Sequence, residues 1–213
     1  MHGTEVVLSR AAVKQKRVII ASTSEVYGKS TRVPFSEEDD LTLGATLHSR
    51  WAYACSKALD EWLALAYWRE KAVPVTICRF FNTVGPRQTG WYGMVVPTSW
   101  PRRSRVRPSR STARASRPVA SRMSPTCVAR LMVTEAAIGH VFDVSTDHKV
   151  TITQLAEVVR NTAGSTSEIL RVPYDQAYAQ GLEDTQRRVP NCDKLERTIG
   201  FRPKTSLETM WPM

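Results

Sequence analysis

Tyr53 and Lys57 are the residues of this sequence whose types and spacing best suit catalysis. Side chains four positions apart lie one above the other on a helix, so Lys57 would hold an ammonium beside the Tyr53 phenol. A phenol ordinarily titrates near ~10, and a neighbouring cation lowers that pKa by favouring the phenolate. The spacing therefore predicts a tyrosine that acts as a general base near neutral pH. The alternative is an exposed helical pair with no catalytic role, because this spacing recurs often by chance.

Polar side chains follow two predicted strands on either side of this pair. The apolar run Arg17–Ala21 is typical of a buried parallel strand, and it leads into Ser22, Thr23, Ser24 and Glu25. The run 73–82 predicts the next strand, which ends at Asn82. Ligands bind at the carboxyl ends of parallel strands in open α/β sheets, so the sequence predicts a site at this edge.

Composition limits the classes of protein to consider. A chain of 213 residues with 42% hydrophobic residues can bury one sizeable domain or a domain and a half. No apolar run is long enough to span a membrane, and the first residues lack a secretory signal pattern. The four cysteines and four histidines are not spaced as metal ligands. The sequence thus predicts a cytoplasmic protein with reduced thiols, no metal site and no membrane partner.

The basic character of the chain is confined to one segment. The net charge is +10, which invites a nucleic-acid-binding interpretation. However, residues 98–133 contain nine arginines and no acidic residue, and the remainder has 21 basic against 20 acidic residues. An Arg/Ser-mediated nucleic-acid binder remains the hypothesis from another class, and the charge distribution disfavours it.

Three motifs together resemble one enzyme family. They are Ser22–Gly28 with its T-S-E-V-Y-G run, Tyr53–Lys57, and Asn82–Arg87. In combination they resemble the extended short-chain dehydrogenase/reductases, specifically the NAD-dependent nucleotide-sugar epimerases, dehydratases and decarboxylases. The resemblance implies the C-terminal part of a Rossmann-type parallel sheet with a small α/β substrate-binding subdomain. It also implies NAD as cofactor, a nucleotide-diphosphate sugar as substrate, and a homodimer.

The same resemblance implies roles for individual residues. Tyr53 matches the catalytic base, Lys57 its partner and a ligand of the nicotinamide ribose, and Thr23 the hydroxyl that shares the proton of the substrate. Thr83 lies where a nicotinamide contact is expected. Asn82, Arg87 and Arg188 match substrate contacts, although Arg87 is equally compatible with a solvated loop arginine.

Ser24 and Glu25 separate the subfamilies. UDP-glucuronate decarboxylases carry Thr-Ser-Glu, as Thr23–Glu25 do here, whereas dTDP-glucose dehydratases carry Asp-Glu and epimerases small neutral residues. The resemblance therefore favours a decarboxylase, in which Glu25 manages protons around C5. The alternatives are a UDP-glucose 4-epimerase-like or dTDP-glucose dehydratase-like enzyme, and a Glu25 that merely pairs with a neighbouring cation.

Two features depart from the family pattern. No G-x-x-G-x-x-G turn occurs anywhere in the sequence, although a family member begins with one to hold the NAD pyrophosphate. The sequence is expected to lack about the first hundred residues of a normal member, so we do not expect this chain alone to bind NAD. A non-catalytic remnant of the fold is a further hypothesis. Residues 1–97 are then the partial NAD-binding and catalytic domain.

The second departure is the Arg/Ser/Pro segment 98–128, which shows neither a strand nor a helix period. Back-translated in a shifted frame, it is compatible with a string containing Y-G-x-G and R-x-F-x-Y-V-x-D-V, which resembles the family in this region. We interpret it as a reading-frame scar and expect a disordered loop, with an Arg/Ser linker or an ordinary solvated loop as alternatives. Residues 129–213, including Gly139–Val144 and Thr153–Ala163, are predicted to form the substrate-binding subdomain.

Overall fold

The computed structural model describes residues 1–84, 109–112, 121–122, 125–146, 151–162, 164, 166, 168–172 and 189–203. The helices are α1 (His2–Lys14), α2 (Arg50–Lys71), α3 (Pro125–Val133), α4 (Ile152–Thr162) and α5 (Asp193–Ile199). The strands are β1 (Val18–Thr23), β2 (Val75–Phe80), β3 (Thr83–Val84), β4 (Ser109–Thr112), β5 (Ser121–Arg122), β6 (Val141–Val144) and β7 (Ile169–Val172). Short 3-10 turns span Ser24–Tyr27 and Glu135–Ala137.

Three strands form a parallel sheet in the order β1–β2–β6. β2 lies in the middle, and its first five residues are buried, as expected for a strand covered on both faces. The sheet belongs to a unit that comprises residues 1–81, 123–147 and 183–203. The predicted α/β class with a parallel sheet is thus confirmed, as are the two strands predicted on either side of the Tyr53 helix.

The long helix α2 packs against β1 through a stripe of small residues. Trp51, Ala54, Ala58 and Ala64 are buried at steps that keep them on one face of the helix. The helix ends where Ala72 adopts a left-handed conformation (φ 52°), and its N–H bonds the carbonyl of Tyr67. Alanines along the buried stripe let the helix axis approach the sheet, which brings Tyr53 near the end of β1.

The strand β6 belongs to the main sheet, not to the predicted substrate-binding subdomain. Ile77 pairs with Val141 and Phe80 with Val144 in parallel register. The assignment of Gly139–Val144 to that subdomain is therefore corrected. The physical reason is that the run 141–144 is mostly apolar and its last three residues are buried. Such a run is typical of a parallel strand that is covered on both faces of a sheet. The functional division predicted at residues 97 and 129 stays a prediction.

A row of polar residues crosses the carboxyl-terminal part of this sheet. Ser22 on β1, Arg79 on β2 and Asp143 on β6 are direct register partners, and all three are buried. Asp143 accepts hydrogen bonds from the Tyr27 hydroxyl at 2.9 Å, and its own backbone N–H donates to Glu37. Burial, and then the charge of Glu37, raise the pKa of Asp143 well above its usual range.

A second unit comprises residues 82–122, 148–182 and 204–213. Its described parts include two parallel strand pairs, β3 with β5 and β4 with β7, and the helix α4. The helix predicted over Thr153–Ala163 is confirmed to within a residue. The predicted loop 98–128 falls mostly outside the described residues. Its described residues form β4, β5 and the start of α3, so the expectation of a loop without regular structure is corrected there, where backbone pairing with β3 and β7 takes the place of an apolar period. In the described part of the chain, no helix is both long and apolar enough to cross a membrane.

Candidate active site

The end of β1 and the first turns of α2 bring Thr23 and Tyr53 together. Thr23 is the last residue of β1 and caps the following 3-10 turn, where its hydroxyl accepts the Glu25 N–H at 3.3 Å. The Thr23 side chain lies close enough to the Tyr53 hydroxyl to favour ionisation of the phenol, and the Tyr53 side chain is 51% exposed. A phenol held at one edge by a hydroxyl and open to solvent at the other can exchange a proton with a bound molecule.

The pKa of Tyr53 lies above its ordinary value, which corrects the prediction of a pKa lowered by Lys57. Partial burial contributes most to the rise, the Glu25 carboxylate contributes next, and the Thr23 hydroxyl acts in the opposite direction. The Lys57 ammonium donates to the carbonyl of Ala21 at 2.9 Å and lies 3.9 Å from Asp60. The Lys57 ammonium therefore also interacts with Ala21 and Asp60, which the four-residue spacing between Tyr53 and Lys57 did not reveal.

Glu25 forms an ion pair with Arg50, a residue that the sequence analysis did not single out. Their closest atoms are 3.7 Å apart, and both side chains are largely buried. The Arg50 guanidinium also lies over the Trp51 ring, 5.9 Å from its centroid. The cation partner considered for Glu25 thus exists, and the only sequence signal was that Arg50 precedes Tyr53 by one helical turn. The ion pair places Glu25 close enough to raise the pKa of Tyr53.

Ser24 is the one predicted site residue whose hydroxyl is buried without a hydrogen-bond partner within the described residues. Its side chain is 2% exposed. A buried hydroxyl without a partner is costly, and such groups mark places where a further polar group can be accommodated. Together with the half-exposed Tyr53 and the Lys57 ammonium, which is 27% exposed, it forms a donor set that fits sugar and ribose hydroxyls.

The remaining predicted residues belong to the second unit or lie outside the described residues. Asn82 and Thr83 follow β2 directly, and both are half-buried residues of the second unit. Arg87 and Arg188 lie outside the described residues. The roles predicted for these four stay predictions. No cluster of three or more His, Cys, Asp or Glu side chains able to hold a metal ion occurs in the part of the chain that the structure describes.

Comparison with known proteins identifies what the chain is similar to. The GDP-mannose 4,6 dehydratase family model matches residues 1–98, the segment that contains Thr23, Tyr53 and Lys57. The UDP-N-acetyl-alpha-D-glucosaminuronate decarboxylase of Bacillus cytotoxicus is 35% identical over 212 residues. That match covers 97% of this chain and 64% of the relative. Residues 1–98 thus match a domain of the GDP-mannose 4,6 dehydratase family. The chain spans somewhat less than two thirds of the length of the decarboxylase that it resembles.

Solved structures share the fold described above. The UDP-glucose 4-epimerase of Thermotoga maritima superposes with a TM-score of 0.81 at 23% identity, over 98% of this chain and 65% of that one. The UDP-glucuronic acid 4-epimerase of Bacillus cereus, solved with UDP-glucuronic acid and NAD, gives a TM-score of 0.78 at 17% identity. This superposition covers 97% of the present chain and 63% of the epimerase chain. Because both identities are below 25%, these similarities establish a shared fold and nothing about activity.

Proposed function

We propose that this chain carries the catalytic residues of an NAD-dependent nucleotide-sugar decarboxylase that acts on a UDP-linked uronate. The observation that carries the proposal is the Thr23–Ser24–Glu25 turn, in which the Thr23 hydroxyl favours ionisation of Tyr53 and the Glu25 carboxylate raises the pKa of Tyr53. The 35% identity to a glucosaminuronate decarboxylase supports the same reaction class.

Each residue of the cluster has one task in the proposed reaction. The Tyr53 oxygen accepts the proton of the sugar 4-hydroxyl, and the Thr23 hydroxyl beside it favours ionisation of Tyr53. NAD⁺, when bound, supplies the acceptor for the hydride that leaves C4. The resulting 4-keto uronate is a β-keto acid, which loses CO₂ readily. Glu25, held by Arg50, relays a proton from water to C5. Return of the hydride from the reduced cofactor to C4, together with the proton held on Tyr53, would restore the 4-hydroxyl, the oxidised cofactor and the base.

The binding roles follow the family resemblance. Lys57 and Tyr53 would hold the nicotinamide ribose, and Thr83 would contact the nicotinamide. Asn82, Arg87 and Arg188 would bind the nucleotide diphosphate, where arginines are suited to bidentate contacts with phosphate. We also propose a homodimer in the cytoplasm, which light scattering of the purified protein would test by its mass.

The reaction itself is tested by product analysis. The chain, alone and joined to the N-terminal third of the Bacillus cytotoxicus relative, is incubated with NAD⁺ and either UDP-glucuronate, UDP-N-acetylglucosaminuronate, UDP-glucose or dTDP-glucose. Loss of CO₂ from a uronate, seen by mass spectrometry, is the expected outcome. A C4 epimer of unchanged mass would favour the epimerase alternative, and loss of water from dTDP-glucose the dehydratase. A folded joined protein without turnover would indicate the non-catalytic remnant.

A further inference from the structure

Glu61 of α2 binds two neighbouring strands of the sheet at once. Its carboxylate accepts hydrogen bonds from Arg79 Nε at 3.0 Å and from Arg79 Nη2 at 2.7 Å, which is a bidentate ion pair. It also accepts a short hydrogen bond from the Ser22 hydroxyl. Ser22 and Arg79 are register partners on β1 and β2, so one carboxylate joins the helix to both strands at the same level.

The ion pair is enclosed from water, which makes its geometry rigid. Glu61 and Arg79 are 4% and 5% exposed, and Ser22 is 5% exposed. Burial alone would lower the pKa of Arg79, but the hydrogen bonds and charge of Glu61 more than offset this, and the pKa is raised. Arg79 also lies over the Tyr27 ring and donates to the Glu37 carbonyl. Neither charge can rotate away without losing partners inside the protein.

Three side chains at successive turns of α2 attach it to the end of β1. Tyr53 lies beside Thr23, Lys57 donates to the carbonyl of Ala21, and Glu61 accepts from Ser22. Positions four apart share one face of a helix, so these contacts lie in a line along the strand. The first two contacts involve partly exposed side chains, whereas the third is buried. The buried contact is the one that can fix the helix against sliding or turning.

We propose that Glu61, through Ser22 and Arg79, is a positioning residue that holds α2 in the register where Tyr53 meets Thr23. The role of Tyr53 as the base rests on the proposed function, but the positioning itself does not. A buried ion pair is weak evidence for stability, because well-packed apolar replacements are often neutral or stabilising. Apolar replacements would not fix the position of α2, because apolar contacts are non-directional. Hydrogen bonds of fixed geometry define both the rotation and the translation of the helix relative to the strands.

The test replaces the whole contact so that no charge is left buried alone. The variant combines Ser22→Ala, Glu61→Leu and Arg79→Met in the full chain. Its matched control, Arg69→Met with Glu70→Leu, removes one exposed pair of opposite charges from the same helix. The readout is the NMR cross-peak between the Tyr53 ring protons and the Thr23 methyl group, which depends on the inverse sixth power of their separation. Tyr53→Phe assigns the ring signal.

We expect the triple variant to fold, as judged by circular dichroism, but to lose most of the Tyr53–Thr23 cross-peak, while the control keeps it. Where the joined protein turns over substrate, kcat should fall about 100-fold with little change in KM, as for a misplacement near 1 Å. A folded triple variant with an unchanged cross-peak would overturn the proposal. If the triple variant does not fold, Ser22→Ala alone decides by the same cross-peak. Lack of turnover in the parent would count against the proposed function only, since the cross-peak needs no substrate.

Discussion

The phenol oxygen of Tyr53 lies between a hydroxyl that favours its ionisation and a carboxylate that opposes it. Burial raises the pKa of Tyr53 most, the Glu25 carboxylate raises it further, and the Thr23 hydroxyl lowers it. Arg50 affects the pKa of Tyr53 indirectly, because it forms an ion pair with the Glu25 carboxylate that raises this pKa. The basicity of this site is therefore a property of four side chains rather than of a tyrosine–lysine pair.

Replacing Tyr53 by phenylalanine should abolish most activity of the joined protein on a UDP-uronate, since only the proton acceptor is lost. Removal of a positioned general base typically costs ~10²–10⁴-fold in rate. The measurement is kcat with NAD⁺ binding followed in parallel, which should be unchanged. Tyr67→Phe is the control on the same helix, because the Tyr67 hydroxyl bonds Ser9 at an exposed position. A full rate in Tyr53→Phe would contradict the assignment of the base.

Replacing Glu25 by glutamine should have two separable effects. The pKa of Tyr53 should fall, because the carboxylate that raises it is gone, and an NMR titration of the labelled tyrosine would measure this. In a decarboxylase the reaction should also stall after oxidation of the sugar, visible as absorbance of reduced cofactor. An enzyme that continued at the parental rate with Glu25→Gln would be an epimerase, which needs no acid at C5.

Sequence alone indicated Thr23, Ser24, Glu25, Tyr53 and Lys57, but it did not reveal which of them interact. The motifs are local, and residues four apart on a helix are neighbours by geometry. The partners Arg50, Ala21 and Asp60 depend on how α2 packs on β1, which no local pattern encodes. That is why the direction of the Tyr53 pKa shift was predicted wrongly.

At the scale of elements, the sheet carries ionisable side chains where its strands are otherwise apolar. Asp143 interrupts the apolar run of β6, and Arg79 interrupts that of β2. An ionisable residue inside a buried strand requires a partner or a change of protonation, so these two residues indicate polar contacts inside the sheet. The strands themselves could be predicted because a continuous apolar run is typical of a covered parallel strand, whereas the pairing of β6 with β2 is a long-range contact.

The stability of the sheet should depend on the protonation of Asp143. Its native pKa is raised by burial and by Glu37, while Arg79 and Tyr27 act in the opposite direction and Glu61 adds to the rise. The folded state thus holds a proton that the unfolded chain releases near ~4, so stability is full below that pH and falls as pH rises through the native pKa. The slope is about 1.4 kcal/mol per pH unit.

Asp143→Asn should remove this dependence, since an amide stays neutral and its oxygen still accepts from Tyr27. Urea unfolding at about pH 5 and about pH 7 should show a gain in the free energy of unfolding that is larger at the higher pH. Asp40→Asn, an exposed carboxylate before α2, is the control and should leave the pH dependence unchanged. A variant that is equally destabilised at both pH values would show that Asp143 is ionised in the native state.

At the scale of the whole molecule, the chain has motifs that resemble those of nucleotide-sugar enzymes without the glycine turn that holds a dinucleotide. We therefore expect no saturable NAD⁺ binding by the 213-residue chain in calorimetric titration, because no G-x-x-G-x-x-G occurs in its sequence. The joined protein should bind NAD⁺ and serves as the control. A micromolar dissociation constant for the chain alone would refute this expectation.

The composition of residues 98–128 leads to a prediction about proteolysis. The segment is rich in arginine and lacks an apolar period, which is typical of sequences that do not form a packed core. Limited trypsin digestion should therefore cut within it before cutting within Trp51–Arg69, whose buried stripe packs α2 on the sheet. Mass spectrometry of the first fragments would check the order, and earlier cleavage inside that helix would contradict it.

The first unit is assembled from three separate stretches of the chain, and this has a consequence for synthesis on the ribosome. Phe35 bonds Val189 and Asn191 through its backbone, and β6 adds to β2 only after some sixty intervening residues. The β2 edge that pairs with β6 must therefore stay uncovered until residues 141–144 have left the exit tunnel. We expect this edge to be the part of the nascent sheet most prone to pairing with another chain, and hence the surface that a ribosome-associated chaperone would need to shield.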